Sequence, residues 1–280
     1  MEKSDILYLY RPAIFLNGDE KMNQDTVIVK KEDKTAWVTM NRPEALNSLA
    51  PELCSALVET LAECEADSGI RAVVLSGNGK AFCAGGDLRT IAALGGIEEA
   101  RGYVRSAGMI TSAIMRSKKP YIAMVGGAAA GAGFNIALAC DFICASSNAK
   151  FSQAFCSVGL ISDCGGSLLL RREVGTRTAK ALMFLPHTLS ADDAMRLGLL
   201  FSLTEPEKLR ETAAALASEL AAQPPIALAQ MKKLQNETEA IEEILRKEEE
   251  IQARLMIGED CREGIKAFFE KRRPIFSGKS

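Results

Sequence analysis

The chain has 280 residues, 48% hydrophobic and 25% charged, with 34 lysines and arginines against 36 aspartates and glutamates. A chain of this size buries roughly 70–75% of the surface its unfolded form exposes, enough for one or two domains without a metal or disulfide staple. A net charge of −2 gives no global basic field for nucleic acid, and the single histidine, His187, excludes histidine-rich metal sites and routes any Ser–His or Cys–His mechanism through one residue.

Residues 1–25 mix charge with isolated aromatics and hold no period, which reads as an N-terminal extension. Thr26–Lys30 and Ala36–Met40 read as a hairpin around the polar turn Lys31–Lys34. Pro51 suits a first helical position, and Leu53, Leu57 and Leu61 then mark one apolar helix face. Ala72–Ser76, Tyr121–Val125 and Phe142–Cys144 are short apolar strands separated by helical segments, which predicts an α/β fold with a largely parallel sheet covered on both faces. Pro120 to Cys140 is uncharged for 21 residues, but four glycines, the leading proline and Asn135 interrupt it. A strand, a turn and a buried helix are expected there in place of a membrane span. His187 falls in a loop entering a helix capped by Ser190.

From Pro206 the pattern is helical, over 206–222, 225–236, 239–256 and 259–270. Ile241, Ile244, Leu245, Ile251 and Leu255 give the third helix an apolar stripe, expected to pack on the body or on a neighbouring subunit, with its charge run solvated. The expected organisation is therefore an extension over 1–25, a core carrying the site over 26–205 and a helical region over 206–280. The eight cysteines form no C-x-x-C and mostly lie in apolar runs, as small core residues do. The apolar run Ile6–Tyr10 is too short for a secretion signal and is broken by Arg11 and Pro12, so a reducing, cytoplasmic compartment is expected.

Two glycine-bearing turns follow buried strands, Ala81–Leu88 and Gly126–Asn135. Small residues let a backbone approach a ligand closely, and free N–H groups at a helix start stabilise charge developing on an oxygen. Both also read as plain tight turns that need small residues. Neither is a nucleotide fingerprint: Ile136 stands at the third glycine position after Gly131 and Gly133, and Arg273 stands where a P-loop ending at Ser280 would begin.

In chain order, Asn41-Arg42-Pro43 with Leu46-Asn47, then Phe82 to Asp87, then Gly131-Ala132-Gly133 with Leu138 to Asp141, then Gly159 to Gly166, then Glu263 to Arg272 resemble the enoyl-CoA hydratase/isomerase (crotonase) superfamily over residues 26–275. The resemblance implies a crotonase-like spiral of β-β-α units with a C-terminal helical region that covers coenzyme A and assembles a homotrimer or dimer of trimers. It implies an acyl-CoA thioester as substrate, with no cofactor, metal, nucleic acid or membrane partner. It gives the N–H groups of Gly86 and Ala132 the oxyanion hole. It puts Ala45, Leu46 and Ala84 on the coenzyme A path, the last through its carbonyl. Asp87, Leu88 and Arg89 flank that path, and Phe268 with Lys271 close over the nucleotide, from this subunit or a neighbour.

The sequence departs from the hydratase pattern where two glutamates belong, holding Asn135 and Phe155 instead, both also assigned to substrate binding by position. Asp163 stands eight residues beyond Phe155 among Val158, Leu160, Ile161 and Cys164. This position resembles that of the aspartate in members that shift enoyl double bonds, such as the ring-epoxide and dehydroadipyl-CoA isomerases. Asp163 also reads as the N-cap of a helix over 165–172. Its apolar surroundings are expected to raise its pKa. The resemblance thus favours an enoyl-CoA isomerase with Asp163 as acid and base. The alternatives are a 2-enoyl-CoA hydratase using Asp163 alone or with a water on Asn135, other enolate chemistry, and a non-catalytic acyl-CoA- or RNA-binding member. Ile91, Leu94, Ile97, Tyr103, Val104 and Met109 shape either an acyl pocket or plain core.

Overall fold

A computed structural model describes residues 26–185, 187–236 and 238–277, and the expected extension over 1–25 lies outside the described residues. Strands β1 (Val27–Glu32) and β2 (Thr35–Met40) form the expected hairpin, but its turn is tighter than Lys31–Lys34, because Lys31 and Glu32 pair with Ala36 and Thr35. Asp33 takes a φ of 52° to close it. β2 pairs in parallel with β3 (Ala72–Gly77), β3 with β5 (Tyr121–Val125), β5 with β7 (Phe142–Ser146), and β7 with β10 (Ser202–Thr204). A second sheet runs β4 (Ala81–Cys83), β6 (Ala128–Ala130), β8 (Lys150–Ser152) and β9 (Thr188–Ser190), the first three parallel and β9 antiparallel to β8.

The chain therefore winds as a spiral. Each of three successive turns gives one strand to the large sheet, one to the small sheet and then a helical segment. The helices are α2 (Leu88–Ala93) with α3 (Ile97–Arg116) after β3-β4, α4 (Ala132–Ala139) after β5-β6, and α5 (Gly166–Phe184) after β7-β8. The uncharged stretch after Pro120 is β5, a glycine turn, β6 and the wholly buried α4. The strands of the small sheet escape the sequence reading because three residues are too few to show a period.

Alternation along the strands sets the core. Val38, Val73, Leu75, Ala123 and Ile143 face inward toward α1 (Pro51–Ala66), which buries Leu53, Leu57 and Leu61 as its spacing predicts. Trp37, Val74, Ile122 and Cys144 face the other way and are covered by Leu209, Ala213, Leu216 and Ala217 of α7 (Leu209–Ala222). Both faces of the large sheet are thus covered. Seven of the eight free cysteines are buried and only Cys156 is exposed. His187 lies in an exposed position just before β9, and Ser190 and Asp193 form a reciprocal capping box on α6 (Ala191–Arg196).

Beyond α8 (Pro225–Asn236), α9 (Thr238–Met256) lies along α3. Ile241 is fully buried and Ile244, Leu245 and Leu255 pack against the core, but Ile251 remains 49% exposed. The expectation of a solvated charge run on α9 holds for Glu243, Arg246, Lys247, Glu250 and Arg254, which are exposed, and is corrected for three glutamates. Glu242 and Glu249 pair with Arg116 and Arg105 of α3 at 2.8 and 2.6 Å, and Glu248 and Gln252 are buried. The cause is register: Ile241, Leu245, Glu248 and Gln252 recur at helical spacing and share the inward face. α10 (Glu259–Phe269) packs on the turn at 154–158 and on α2 of the same chain.

Leu75→Ala, at the centre of the large sheet with no exposed surface, is expected to cost about 2–5 kcal/mol by urea unfolding, whereas the exposed Lys30→Ala should stay within about 0.5 kcal/mol. Equal midpoints for the two variants would contradict this assignment of the core.

Candidate active site

Because β4 and β6 are parallel neighbours, the turns leaving their C-terminal ends lie side by side. A Cβ on Gly85 would stand 2.7 Å from the Ala130 carbonyl and 3.3 Å from the Ala132 nitrogen, and one on Gly133 would stand 2.2 Å from the Cys83 carbonyl. Only glycine permits so close an approach. The N–H groups of Gly86 and Ala132 donate to no acceptor among the described residues. Ala132 carries the first N–H of α4, where the helix dipole adds partial positive charge, and α4 is buried along its length.

Tyr103 of α3 braces the first turn. Its hydroxyl donates to the Leu49 carbonyl at 2.7 Å and accepts the Asp87 N–H at 2.8 Å. Asp87 caps α2 by accepting the N–H groups of Arg89 and Thr90, each at 3.1 Å. Its other oxygen accepts the Ser48 hydroxyl and the Arg42 guanidinium at 2.9 and 3.3 Å. Burial acts against this carboxylate's charge, but the bonds from Thr90, Ser48 and Arg42 hold it below its ordinary value. Asp87 is thus engaged by the fold, while Leu88 packs half-buried on the core and Arg89 is exposed. Ala45 is half-buried, and Leu46 is 44% exposed in left-handed geometry. The Ala84 N–H donates to the Leu46 carbonyl at 3.0 Å, so residues 45–46 and 84–89 form one rim. Phe268, 60% exposed, and the exposed Lys271 stand at the end of α10, the helix that packs on α2.

Asn135 is fully buried, and its amide ties α4 to the turn that bears Asp163. Nδ2 donates to the Ser162 hydroxyl at 3.0 Å and to the Asp163 carbonyl at 2.7 Å, and Oδ1 accepts from Gln153 at 2.7 Å. Phe155 lies over the second turn, its ring 3.5 Å from where a Gly131 Cβ would stand.

Asp163 does not cap α5, which corrects the reading of it as an N-cap. Cys164 and Gly165 follow it with φ of 51° and 77°, and Glu248 of α9 takes the helix-end donors instead. Glu248 accepts the Gly165 N–H at 2.7 Å and the Ser167 N–H at 3.2 Å. The Asp163 carboxylate is 5% exposed, accepts the Gln252 amide on Oδ2 at 3.1 Å, and has no partner on Oδ1 among the described residues. Burial pushes its pKa up to about 6, offset only in part by the Gln252 amide and the neighbouring Cys164 thiol. Burial, with the Asp163 charge adding to it, raises Glu248 to about 8. Burial also raises the Cys54 thiol to about 12 and holds Tyr103 well above its usual value, so both stay neutral beside Asp163. Asn135 thus ties the Asp163 turn to α4, while Tyr103, which braces the first turn, lies within electrostatic reach of Asp163.

A cavity of about 400 Å³ opens between α1, α3 and α9, lined by Val58, Val104, Met109 and Leu245, with Cys164 and Glu248 on its wall. Of the residues proposed for an acyl pocket, Val104 and Met109 line this cavity, while Ile91 and Tyr103 belong to the core. Gln252, Glu248 and the brace at Tyr103 were not picked out from the sequence. The inward spacing of residues 241, 245, 248 and 252 was the available signal for the first two.

Solved structures share this architecture. An enoyl-CoA hydratase/isomerase from Pseudoalteromonas atlantica T6c superposes with a TM-score of 0.81 at 32% identity, covering 90% of this chain and 100% of that one. The protein is thus an enzyme of the crotonase-like fold class. The profile of the family described as Enoyl-CoA hydratase/isomerase matches residues 30–279, and the chain belongs to that family. Its relatives include the 1,2-epoxyphenylacetyl-CoA isomerase of Escherichia coli K12, 39% identical over 86% of this chain and 94% of its own length. They also include the short-chain-enoyl-CoA hydratase of Clostridium acetobutylicum, 36% identical over 90% of this chain and 97% of its own length.

Asp163 holds its proton to about 6 in the folded chain, against 3.8 ordinarily, and Glu248 to about 8, against 4.5. Between the ordinary and folded values the native state keeps protons that the unfolded chain has released, so the contribution of these two groups to stability falls as pH rises from about 4 to 8. Asp163→Asn removes its share of that fall. The variant is expected to match the parent near pH 4 and to exceed it at pH 8 by on the order of 2–3 kcal/mol in urea unfolding. A variant less stable than the parent at pH 8 would refute the cost assigned to this buried charge.

Proposed function

We propose that the protein is an enoyl-CoA isomerase that moves a double bond along an acyl-CoA thioester, with Asp163 as its one acid and base. The observation that carries this reading is the buried Asp163 carboxylate, one oxygen unpartnered, on a turn that Asn135 ties to α4, the helix that starts at the second glycine turn. In this reading Asp163 takes a proton from C2 of a 3-enoyl-CoA, and the electron pair delocalises over C2, C4 and the thioester oxygen. The protonated Asp163 then returns the proton to C4, leaving the double bond between C2 and C3. The oxygen gains charge in the dienolate that it lacks in the substrate, and the N–H groups of Gly86 and Ala132 receive it, each worth about 3 kcal/mol in the transition state. A pKa near 6 suits a group that must both accept and give back a proton.

The rim residues Ala45, Leu46, Ala84, Leu88 and Arg89 line the coenzyme A path, and Phe268 with Lys271 close it. Exposed Phe184, Phe201, Ile226 and Leu234 supply apolar area for assembly as a homotrimer or dimer of trimers. Hydration is disfavoured because the Asn135 amide makes three internal bonds and Phe155 covers the second turn, which leaves neither to activate a water. The Escherichia coli relative is named an isomerase of an epoxide-bearing acyl-CoA, which supports isomerisation of an acyl-CoA thioester without naming a double-bond shift, and the Clostridium hydratase represents the rival.

Purified protein is expected to convert 3-enoyl-CoA to its conjugated isomer, seen as rising absorbance of the conjugated thioester, and to leave 2-enoyl-CoA unhydrated. Asp163→Asn should lower kcat roughly 10²–10⁴-fold while binding a saturated acyl-CoA within about twofold of the parent. Full turnover by that variant would sink the assignment, and loss of 2-enoyl-CoA absorbance in the parent would favour the hydratase.

A further inference from the structure

Helix α9 reaches the Asp163 turn through two side chains one helical turn apart. Gln252, fully buried, donates Nε2 to Asp163 Oδ2 at 3.1 Å and to the Ile161 carbonyl at 2.9 Å, and accepts the Ile161 N–H on Oε1 at 3.0 Å. The main chain of the same turn is held from two other helices, by Asn135 of α4 on the Asp163 carbonyl and by Thr111 of α3 on the Cys164 carbonyl at 2.9 Å. Among the described residues, Gln252 is the one side-chain nitrogen that donates to the carboxylate itself. Glu248 occupies the N–H groups of Gly165 and Ser167, donors that would otherwise attract the nearest carboxylate.

We propose that Gln252 is the positioning residue for Asp163. It fixes one carboxylate oxygen so that the other faces the substrate, while Glu248 keeps the start of α5 from competing for that carboxylate. This inference rests on Asp163 being the acid and base. The titratable groups facing Asp163 are Cys54 of α1, Tyr103 of α3, Cys164 of its own turn and Glu248 of α9. None of them is a cation, so the Gln252 amide is the principal group favouring the ionised form.

The test uses the full chain carrying Gln252→Met, with kcat/KM for a 3-enoyl-CoA measured across pH beside Asp163→Asn. Losing a donor to the ionised carboxylate should move the acid limb upward by about one pH unit and lower kcat roughly tenfold, with KM and saturated acyl-CoA binding within about twofold. Gln252→Ala, which also lacks the donor and cannot overfill the site, carries the same expectation and serves if methionine is not accommodated. A folded Gln252 variant with the parent's acid limb and kcat, beside an inactive Asp163→Asn, overturns the positioning role and leaves the catalytic assignment standing. An active Asp163→Asn overturns the catalytic assignment itself.

Discussion

Parallel pairing of β4, β6 and β8 is the constraint on which the site depends. Each is the second strand of one turn of the spiral, so the segments that leave their C-terminal ends emerge at one edge. The first segment carries Gly86, the second Ala132, and the third leads through Phe155 to Asp163. Three residues per strand would not hold such an edge alone, but the large sheet fixes each spiral turn through longer pairings, and both of its faces are covered. The glycines follow from the same constraint. Once two parallel strands end side by side, their exits meet backbone to backbone, and a Cβ at Gly133 would fall 2.2 Å from a carbonyl.

The buried charges divide their work by element. A helix start with free N–H groups and a carboxylate shortly before it is a standard recipe for a cap, and capping would tie up the oxygen that the proposed acid–base work needs. The chain avoids this by turning through left-handed Cys164 and Gly165 and by bringing a second carboxylate from a distant helix. Glu248 sits against two backbone donors, which is a good place for an acceptor, while Asp163 has one amide and one open oxygen. Both carboxyls are pushed upward by the same loss of water, and the N–H groups of Gly165 and Ser167 offset part of it at Glu248 as the Gln252 amide does at Asp163.

What was legible in the sequence is what local periodicity encodes. β2, β3 and β5 are runs of apolar residues, α1 repeats leucine every four positions, and the C-terminal helices are bounded by prolines and glycines. The small sheet was not legible, because its strands are set by pairing with each other and carry no pattern of their own. The role of Asp163 was only half legible. Its spacing to the helix suits a cap and its position in the motif order suits catalysis, and the place of the cap is taken by Glu248, 83 residues beyond Gly165. Glu248 and Gln252 were hidden by composition, since a helix with six glutamates among its nineteen residues reads as a solvated face. Their registry with Ile241 and Leu245 held the contrary information, but it becomes decisive only once α9 is seen to lie on α3.

One exposed histidine and near-zero net charge fit this arrangement. In the proposed reaction, charge on a thioester oxygen would be met by main-chain dipoles, which no composition records, and proton transfer would fall to one carboxyl whose pKa is raised by burial. Under the isomerase reading the same burial has two effects. It makes the ionised form of Asp163 costly, which weakens the folded state at neutral pH, and it brings that carboxyl closer to the basicity needed to pull a proton from carbon. It also keeps the abstracted proton on Asp163 until the second carbon takes it, because the neighbouring Asn135, Cys54 and Tyr103 are neutral and internally engaged or buried. The instability at Asp163 and its chemistry are thus two consequences of one desolvated group, and the elements around it, α4 through Asn135 and α9 through Gln252, are what keep that group in place.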